Sequence, residues 1–583
     1  MTIVSSLYKS VRAVILGFLL LQANTAAATD TPPGAAIASA HPLATEAGFE
    51  VLNAGGNAFD AAVAVSAALA VVEPSGSGMG GGGFWLLHRA SDDFQTMIDG
   101  REKAPLAATA TMYQDAEGNV LRTASINGPL AAGIPGQAAA LAHLAEKYGQ
   151  LPLSRSLEPA IRYARDGFRM DTKLFQLLTW RREAIKASPA AADVFLRWGL
   201  PTPPGLTIKQ PDLADTLQAL ADKGHDGFYA GPVAERLVAG VREAGGIWTM
   251  QDLAEYQIVE REPIRFNYRG HRVVSAAPPS SGGVVLATAL QILQGFDPKF
   301  FDSPLREHLI VEAMRRAYRD RAEYLGDPDY VQMPLKRLTS PAYAQRLRLG
   351  IDLDKATPSS ELGPQAPPLK QGTDTTHFSI IDAEGNRVAA TLSINLPFGS
   401  GFMPPGTGVL LNNEMDDFVA KPGTPNSYGL VGNEANAIAP GKRMLSSMTP
   451  SFVESADRVA VIGTPGGSRI ISMVMLGILE FANGADAGAM VSLPRFHHQY
   501  LPDVVQHESG ALSSHERRVL EQRGHVLQER SRDYGNMQVV IWDRQNQTMQ
   551  AAADPRGIGK GEVRLKPQAK EESLEVPGVE LRQ

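Results

Sequence analysis

Two apolar runs, 376–381 (THFSII) and 387–394 (RVAATLSI), flank the turn residues 382–386 (DAEGN). The spacing predicts a β-hairpin. The segment before it, 357–374 (TPSSELGPQAPPLKQGTD), has four prolines and no apolar periodicity, and reads as an exposed, mobile loop. Residues 34–73 read as two helices around a turn: Leu43, Ala44, Gly48, Val51 and Leu52 have helical spacing, Gly55-Gly56 is a stop signal, and 57–72 is an Ala/Val-rich helix buried on most sides. The glycine run 75–83 (SGSGMGGGG) leads into a strand at 84–87. It lacks the lysine and the strand–helix context of a phosphate cradle, so it reads as backbone passing close to other backbone. Helices are predicted over 136–148 and 157–164, ended by Gly149 and Gly167. Residues 307–324 predict a long amphipathic helix with Leu309, Ile310, Ala313, Met314, Ala317, Arg321 and Tyr324 on one side and an arginine-rich, solvated outer face. After residue 375 strands are expected to predominate until a buried helix at 470–481, and the tail 566–583 reads as frayed.

Composition narrows the class. The chain has 583 residues, 44% hydrophobic and 20% charged, with net charge −7. That is too long for a single small core, and with no basic stripe it points away from nucleic acid. Lys9, Arg12, the apolar run 13–21 (AVILGFLLL) and the small residues Ala26-Ala27-Ala28 read as a signal peptide over 1–28, hence export to the periplasm; a membrane anchor is the alternative, although the run is short for a bilayer. There is no cysteine, which removes disulfides, thiolate metal sites and cysteine nucleophiles. His497-His498 lack zinc-helix spacing, so no metal and no cofactor is called for.

The candidate chemistry begins at Asp374-Thr375-Thr376-His377. A hydroxyl residue opening a core strand behind a disposable loop points to a chain cut before Thr375. The new α-amino group, with a pKa of about 7.7–8, would then act as base for the hydroxyl beside it. The same residues could simply open a strand, since threonine favours β structure. Asn412-Asn413-Glu414-Met415-Asp416-Asp417-Phe418 is a dense acidic cluster with apolar flanks, readable as a calcium loop, a solvated turn, or carboxylates at the edge of a core that need a cationic partner. Ser446 and Ser447 pair hydroxyls ahead of a strand. Gly466-Gly467 opens a helix, either as a structural turn or as backbone N–H groups aimed at an oxyanion.

Together with Asn57-Ala58-Phe59-Asp60-Ala61-Ala62, Gly80 to Phe84, Asp99-Gly100-Arg101-Glu102 and Pro278-Pro279-Ser280-Ser281-Gly282-Gly283, these motifs stand in the order of the γ-glutamyltransferase family of N-terminal nucleophile hydrolases, which the sequence resembles from about Ala35 to Pro555. The resemblance implies an α/β (α+β) fold, a four-layer αββα sandwich built jointly by two pieces of one precursor. These are a large subunit 29–374 and a small subunit 375–583, of about 37 and about 22 kDa in proportion to the whole.

It also implies roles. Thr375 is the nucleophile; Ser393, where many members have threonine, orients it; Gly466 and Gly467 form the oxyanion hole. Arg101, Ser446 and Ser447 hold the α-carboxylate of a γ-glutamyl group, Asn395, Glu414 and Asp417 its ammonium, and Tyr428 belongs to a lid loop. Glutathione and other γ-glutamyl compounds are the implied donors, with water, amino acids or dipeptides as acceptors. Asp374 matches no family pattern. The neighbouring possibilities are a glutaryl-cephalosporin acylase of the same superfamily, whose substrate lacks the ammonium, and an uncleaved binding protein.

Overall fold

The computed structural model describes residues 31–363 and 375–567. The signal-peptide reading, Asp374, the loop from 364 onward and the tail beyond 567 lie outside the described residues.

In chain order the elements that build the site are β1 (Gly34–Ser39), α1 (Pro42–Asn53), α2 (Ala58–Val72), β2 (Gly82–Arg89), β3 (Phe94–Gly100), α3 (Gln137–Lys147), α4 (Leu153–Asp166), β4 (Val259–Arg261), β5 (Ile264–Tyr268), β6 (His271–Ser275), α5 (Gly282–Gln294), α6 (Leu305–Tyr324), β7 (Thr376–Ile381), β8 (Arg387–Ser393), β9 (Ser451–Glu454), β10 (Arg458–Gly463), α7 (Ile470–Ala482), β11 (Gln538–Asp543), β12 (Thr548–Ala553) and β13 (Lys560–Leu565). Two antiparallel sheets result, in the orders β13-β1-β7-β8-β2-β3-β4 and β12-β11-β10-β9-β6-β5.

Strand periodicity sorts the core into layers. Ile37, Trp85, Leu87, Ile98, Val388 and Ala390 face α1 to α4. Ala36, Ala38, Phe84, Leu86, Met97, Ile381 and Ala389 face the second sheet, whose other side carries α5 to α7. The order helix, sheet, sheet, helix is the four-layer sandwich expected.

The predicted hairpin forms with Thr376 opposite Leu392 and Ile381 opposite Arg387. Its turn is anchored: Asp382 accepts from the Ala58 N–H at the start of α2 (2.8 Å) and from Asn386 Nδ2 (2.8 Å). Asn57 and Asp60 close that helix end with a reciprocal capping box.

Four expectations need correction. Residues 34–39 are not part of a helix pair but strand β1, which Pro42 and the His41 N-cap then turn into α1. Residues 394–450 are largely irregular, with two short 3₁₀ turns; Pro397, Pro404, Pro405, Pro422, Pro425 and Pro440 cannot donate to a ladder. The arginine-rich face of α6 is not solvated: Arg315 and Arg316 are buried on Glu312. Finally, the loop that begins at residue 357 is not wholly exposed. Ser359 is fully buried, accepting from Arg315 Nη1 (2.7 Å) and donating to the Tyr500 carbonyl (2.7 Å).

Candidate active site

The place of Thr375 follows from the hairpin register. Thr376 pairs with Leu392, so one step further along the ladder Thr375 faces Ser393. Both are buried and line one small cavity. Alternation puts Thr375 on the intersheet face with His377 and Ser379, and turns Thr376 to the other side, where its hydroxyl donates to Glu73. Ser393 Oγ accepts from the Asn395 N–H (2.7 Å), so its own proton remains to be given. The glycine run explains how these strands pack so tightly. A Cβ on Gly81 would lie 2.1 Å from the Ser393 carbonyl oxygen, the close backbone approach that the run predicts.

Arg101 follows β3 directly, with its N–H held by Asp99 (3.0 Å). Its guanidinium forks onto two carboxylates of the acidic cluster, Glu414 at 2.7 Å and Asp417 at 2.6 Å, with Glu102 at 3.6 Å. The cationic partner that the cluster requires is therefore Arg101. The residues assigned to the two ends of a substrate's head group neutralise each other here. Burial opposes charge on Arg101, but Glu414, Glu102 and Asp417 outweigh it and raise its pKa. Burial and Glu414 push the Asp417 carboxyl up to about 7, against the pull of Arg101. Glu102 is driven up in the same way by burial and Glu414, and neither of its oxygens has a hydrogen-bond partner among the described residues.

The paired hydroxyls sit on a buttress. Ser281 donates to the Ser446 carbonyl through both its N–H (2.9 Å) and its Oγ (2.7 Å), and Ser280 Oγ donates to the Met448 carbonyl (2.5 Å). This accounts for the Pro-Pro-Ser-Ser-Gly-Gly stretch that sequence reasoning left without a task.

Opposite, Gly467 lines the cavity at φ 59°, a left-handed conformation that strains any side chain, and a Cβ there would lie 2.3 Å from the Tyr428 ring. Gly466 precedes it in the turn before α7 and is not among the cavity-lining residues. Tyr428 closes the top. Its hydroxyl donates to the Asn395 carbonyl (2.9 Å), and neighbouring Asn426 donates to Asp417 (3.1 Å). Beneath it the cavity holds only about 20 Å³, room for a water and no more. Larger clefts around α3 and α4 contain none of this set. His497 and His498 are buried and hydrogen-bonded to Ser472, Gln499 and Asp503.

The model of the family described as "Gamma-glutamyltranspeptidase" matches residues 44–563. The chain belongs to this family. Among gamma-glutamyltranspeptidase relatives, it is 46% identical to the glutathione hydrolase proenzyme of Pseudomonas sp. (strain A14), over 86% of this chain and 88% of that one. The glutathione hydrolase proenzyme of Escherichia coli (strain K12) is 42% identical over 90% of both. A cephalosporin acylase from Bacillus halodurans has a similar structure, with TM-score 0.80 at 29% identity, covering 91% of this chain and 96% of its own.

Within this gamma-glutamyltranspeptidase fold, every sequence-predicted site residue except Gly466 lines the cavity. Sequence reasoning missed Arg321, which also lines it, and the role of Glu102 beside Arg101. The available signal was an arginine on the apolar stripe of α6, where a cation requires a reason.

Proposed function

We propose that the protein is a self-processing γ-glutamyltransferase and glutathione hydrolase that is exported to the periplasm. No helix among the described residues is long and apolar enough to cross a membrane. The chain is cut between Asp374 and Thr375 into large (29–374) and small (375–583) subunits. The freed amino group of Thr375 takes the proton of its own hydroxyl, and the alkoxide attacks the γ-amide carbon. Charge on the tetrahedral oxygen is met by the N–H groups of Gly466 and Gly467. The C–N bond then breaks, the leaving amine takes the proton back, and the γ-glutamyl ester is resolved by water or by an amino-acid or dipeptide acceptor. Ser393, across the ladder, orients the Thr375 hydroxyl.

One observation carries this reading: buried Arg101 pairs with buried Glu414 and with the largely buried Asp417, and all three line the cavity with Thr375. A zwitterionic head group replaces that pairing charge for charge. Its carboxylate takes Arg101 and the two serines while its ammonium takes Asp417, Glu414 and Asn395. A glutaryl group would claim Arg101 and return no cation, leaving two buried carboxylates uncompensated. That weighs against the acylase reading despite the structural likeness.

The test is intact mass and N-terminal sequencing of the mature protein, then turnover of γ-glutamyl and glutaryl anilides. The expected result is two fragments, the smaller beginning Thr-Thr-His-Phe, with a preference for the γ-glutamyl donor. Thr375→Ala should remain one uncut, inactive chain. A self-cleaved, active alanine variant would remove the mechanism, and a preference for glutaryl anilide would reverse the substrate.

A further inference from the structure

Three carboxylates crowd Arg101, so the end of the cavity that must receive an α-carboxylate is left with a deficit of positive charge. Arg321 stands at that end. It lies in the last turn of α6, is 5% exposed and lines the cavity. Several buried arginines elsewhere meet acids, Arg315 and Arg316 on Glu312, Arg495 on Asp554 and Arg387 on Glu454, while Arg181 is held by the carbonyls of Pro397 and Gly399. Among the described residues no carboxylate lies within ion-pair distance of Arg321. It donates instead to two hydroxyls, Nε to Ser281 Oγ (2.9 Å) and Nη2 to Ser447 Oγ (3.2 Å). A buried guanidinium with no carboxylate at ion-pair distance among the described residues is costly, and this one borders the cavity that Thr375 lines.

The bonding also dictates polarity. A guanidinium only donates, so Ser447 Oγ must accept from it and has its own proton left to give. Ser446 Oγ likewise accepts from the Met448 N–H (3.1 Å). Both hydroxyls are thus set as donors, which suits an anion. Through Ser281, which holds the Ser446 carbonyl, the same guanidinium braces the irregular segment that carries the pair.

We propose that Arg321 is the positioning cation of the carboxylate subsite: it sets Ser447 as a hydrogen-bond donor and adds a second positive charge to that of Arg101, which is shared among Glu102, Glu414 and Asp417. This rests on the γ-glutamyl reading above and adds to it the residue that makes the site select for a charged α-carboxylate. Its charge and its fork both matter, because a lysine retains the first and cannot span Ser281 and Ser447 together.

The experiment compares competitive inhibition by L-glutamate with inhibition by its α-carboxamide, isoglutamine, against a γ-glutamyl anilide donor. The proteins are the mature wild type, Arg321→Gln and Arg321→Lys. In wild type glutamate should bind more tightly than isoglutamine. Arg321→Gln should weaken glutamate by about 10- to 100-fold, the worth of a charge-assisted hydrogen bond, and isoglutamine by less than about threefold, with kcat nearly unchanged. Arg321→Lys should fall between and covers the case in which the glutamine variant does not mature. Equal losses for both inhibitors, or a fall in kcat alone, would reduce Arg321 to a structural brace and overturn the proposal. A wild type that turns over no γ-glutamyl donor would instead remove the reading on which the proposal rests.

Discussion

Burial and the adjacent Glu414 hold the Asp417 carboxyl up to about 7 in the empty cavity, opposed by Arg101 and Arg321. An ammonium ligand prefers the ionised form, so binding must expel a proton whenever Asp417 carries one. Affinity is therefore full above pH 7 and declines as the pH falls through it. The expected outcome is an inhibition constant for L-glutamate that rises roughly tenfold per pH unit below 7. An Asp417→Asn variant should bind more weakly throughout, with a flatter profile. Inhibition separates this effect from the Thr375 amino group, whose protonation at low pH suppresses chemistry and not binding. A second residue-scale test concerns Tyr428. Removing its ring with Tyr428→Ala opens the cavity and should speed glutamate dissociation, read by stopped-flow displacement, while self-cleavage proceeds.

At the scale of elements, the glycine run decides whether the hairpin strands β7 and β8 can be laid down. Gly81→Ala drives a methyl into the Ser393 carbonyl. A clash with backbone cannot be relieved by a rotamer change, so a stability loss of roughly 3 kcal/mol and slow or absent self-cleavage are expected, measured by thermal denaturation and by the fraction of uncut chain on a gel. The hairpin, the close-packed role of the glycine run and most cavity residues were legible in the sequence, because strand alternation, turn residues and motif order are local properties. Strand β1 was hidden because GAAIAS is short and runs directly into a helical pattern. The burial of Arg315 and Arg316 was hidden because only Glu312 among their partners lies on α6 itself. Arg315 is satisfied by Ser359 and Asp503, and Arg316 by carbonyls at 347 and 350, all far along the chain. An amphipathic plot counts such residues as surface. Arg321 falls on the buried side of α6 in the sequence pattern, but its task was hidden because its hydroxyl partners lie at 281 and 447.

For the whole molecule, the first sheet interleaves the two proposed pieces. β1, β2, β3 and β4 belong to the large one, β7, β8 and β13 to the small one, and the order β13-β1-β7-β8-β2-β3-β4 brings them edge to edge at three seams. The second sheet adds a fourth where β9 meets β6. After cleavage the fragments should co-elute on size exclusion in high salt, and separate only where denaturant also abolishes the native circular dichroism. Fragments that part while still folded would contradict the interleaved assembly.

That interleaving also sets a timetable for folding. β1 is synthesised first, yet both its neighbours come from far downstream, β7 at 376–381 and β13 at 560–565. Loop-closure entropy must be met before either contact is rewarded. The leading strand therefore waits until residue 381 to pair one edge, and until almost the entire polypeptide has emerged to pair the other. Cutting makes the sequence of events irreversible in practice, since a separated pair must find each other by diffusion where the precursor needed only to close on itself. The uncut form should regain its structure at a rate independent of dilution, and the cut form should not.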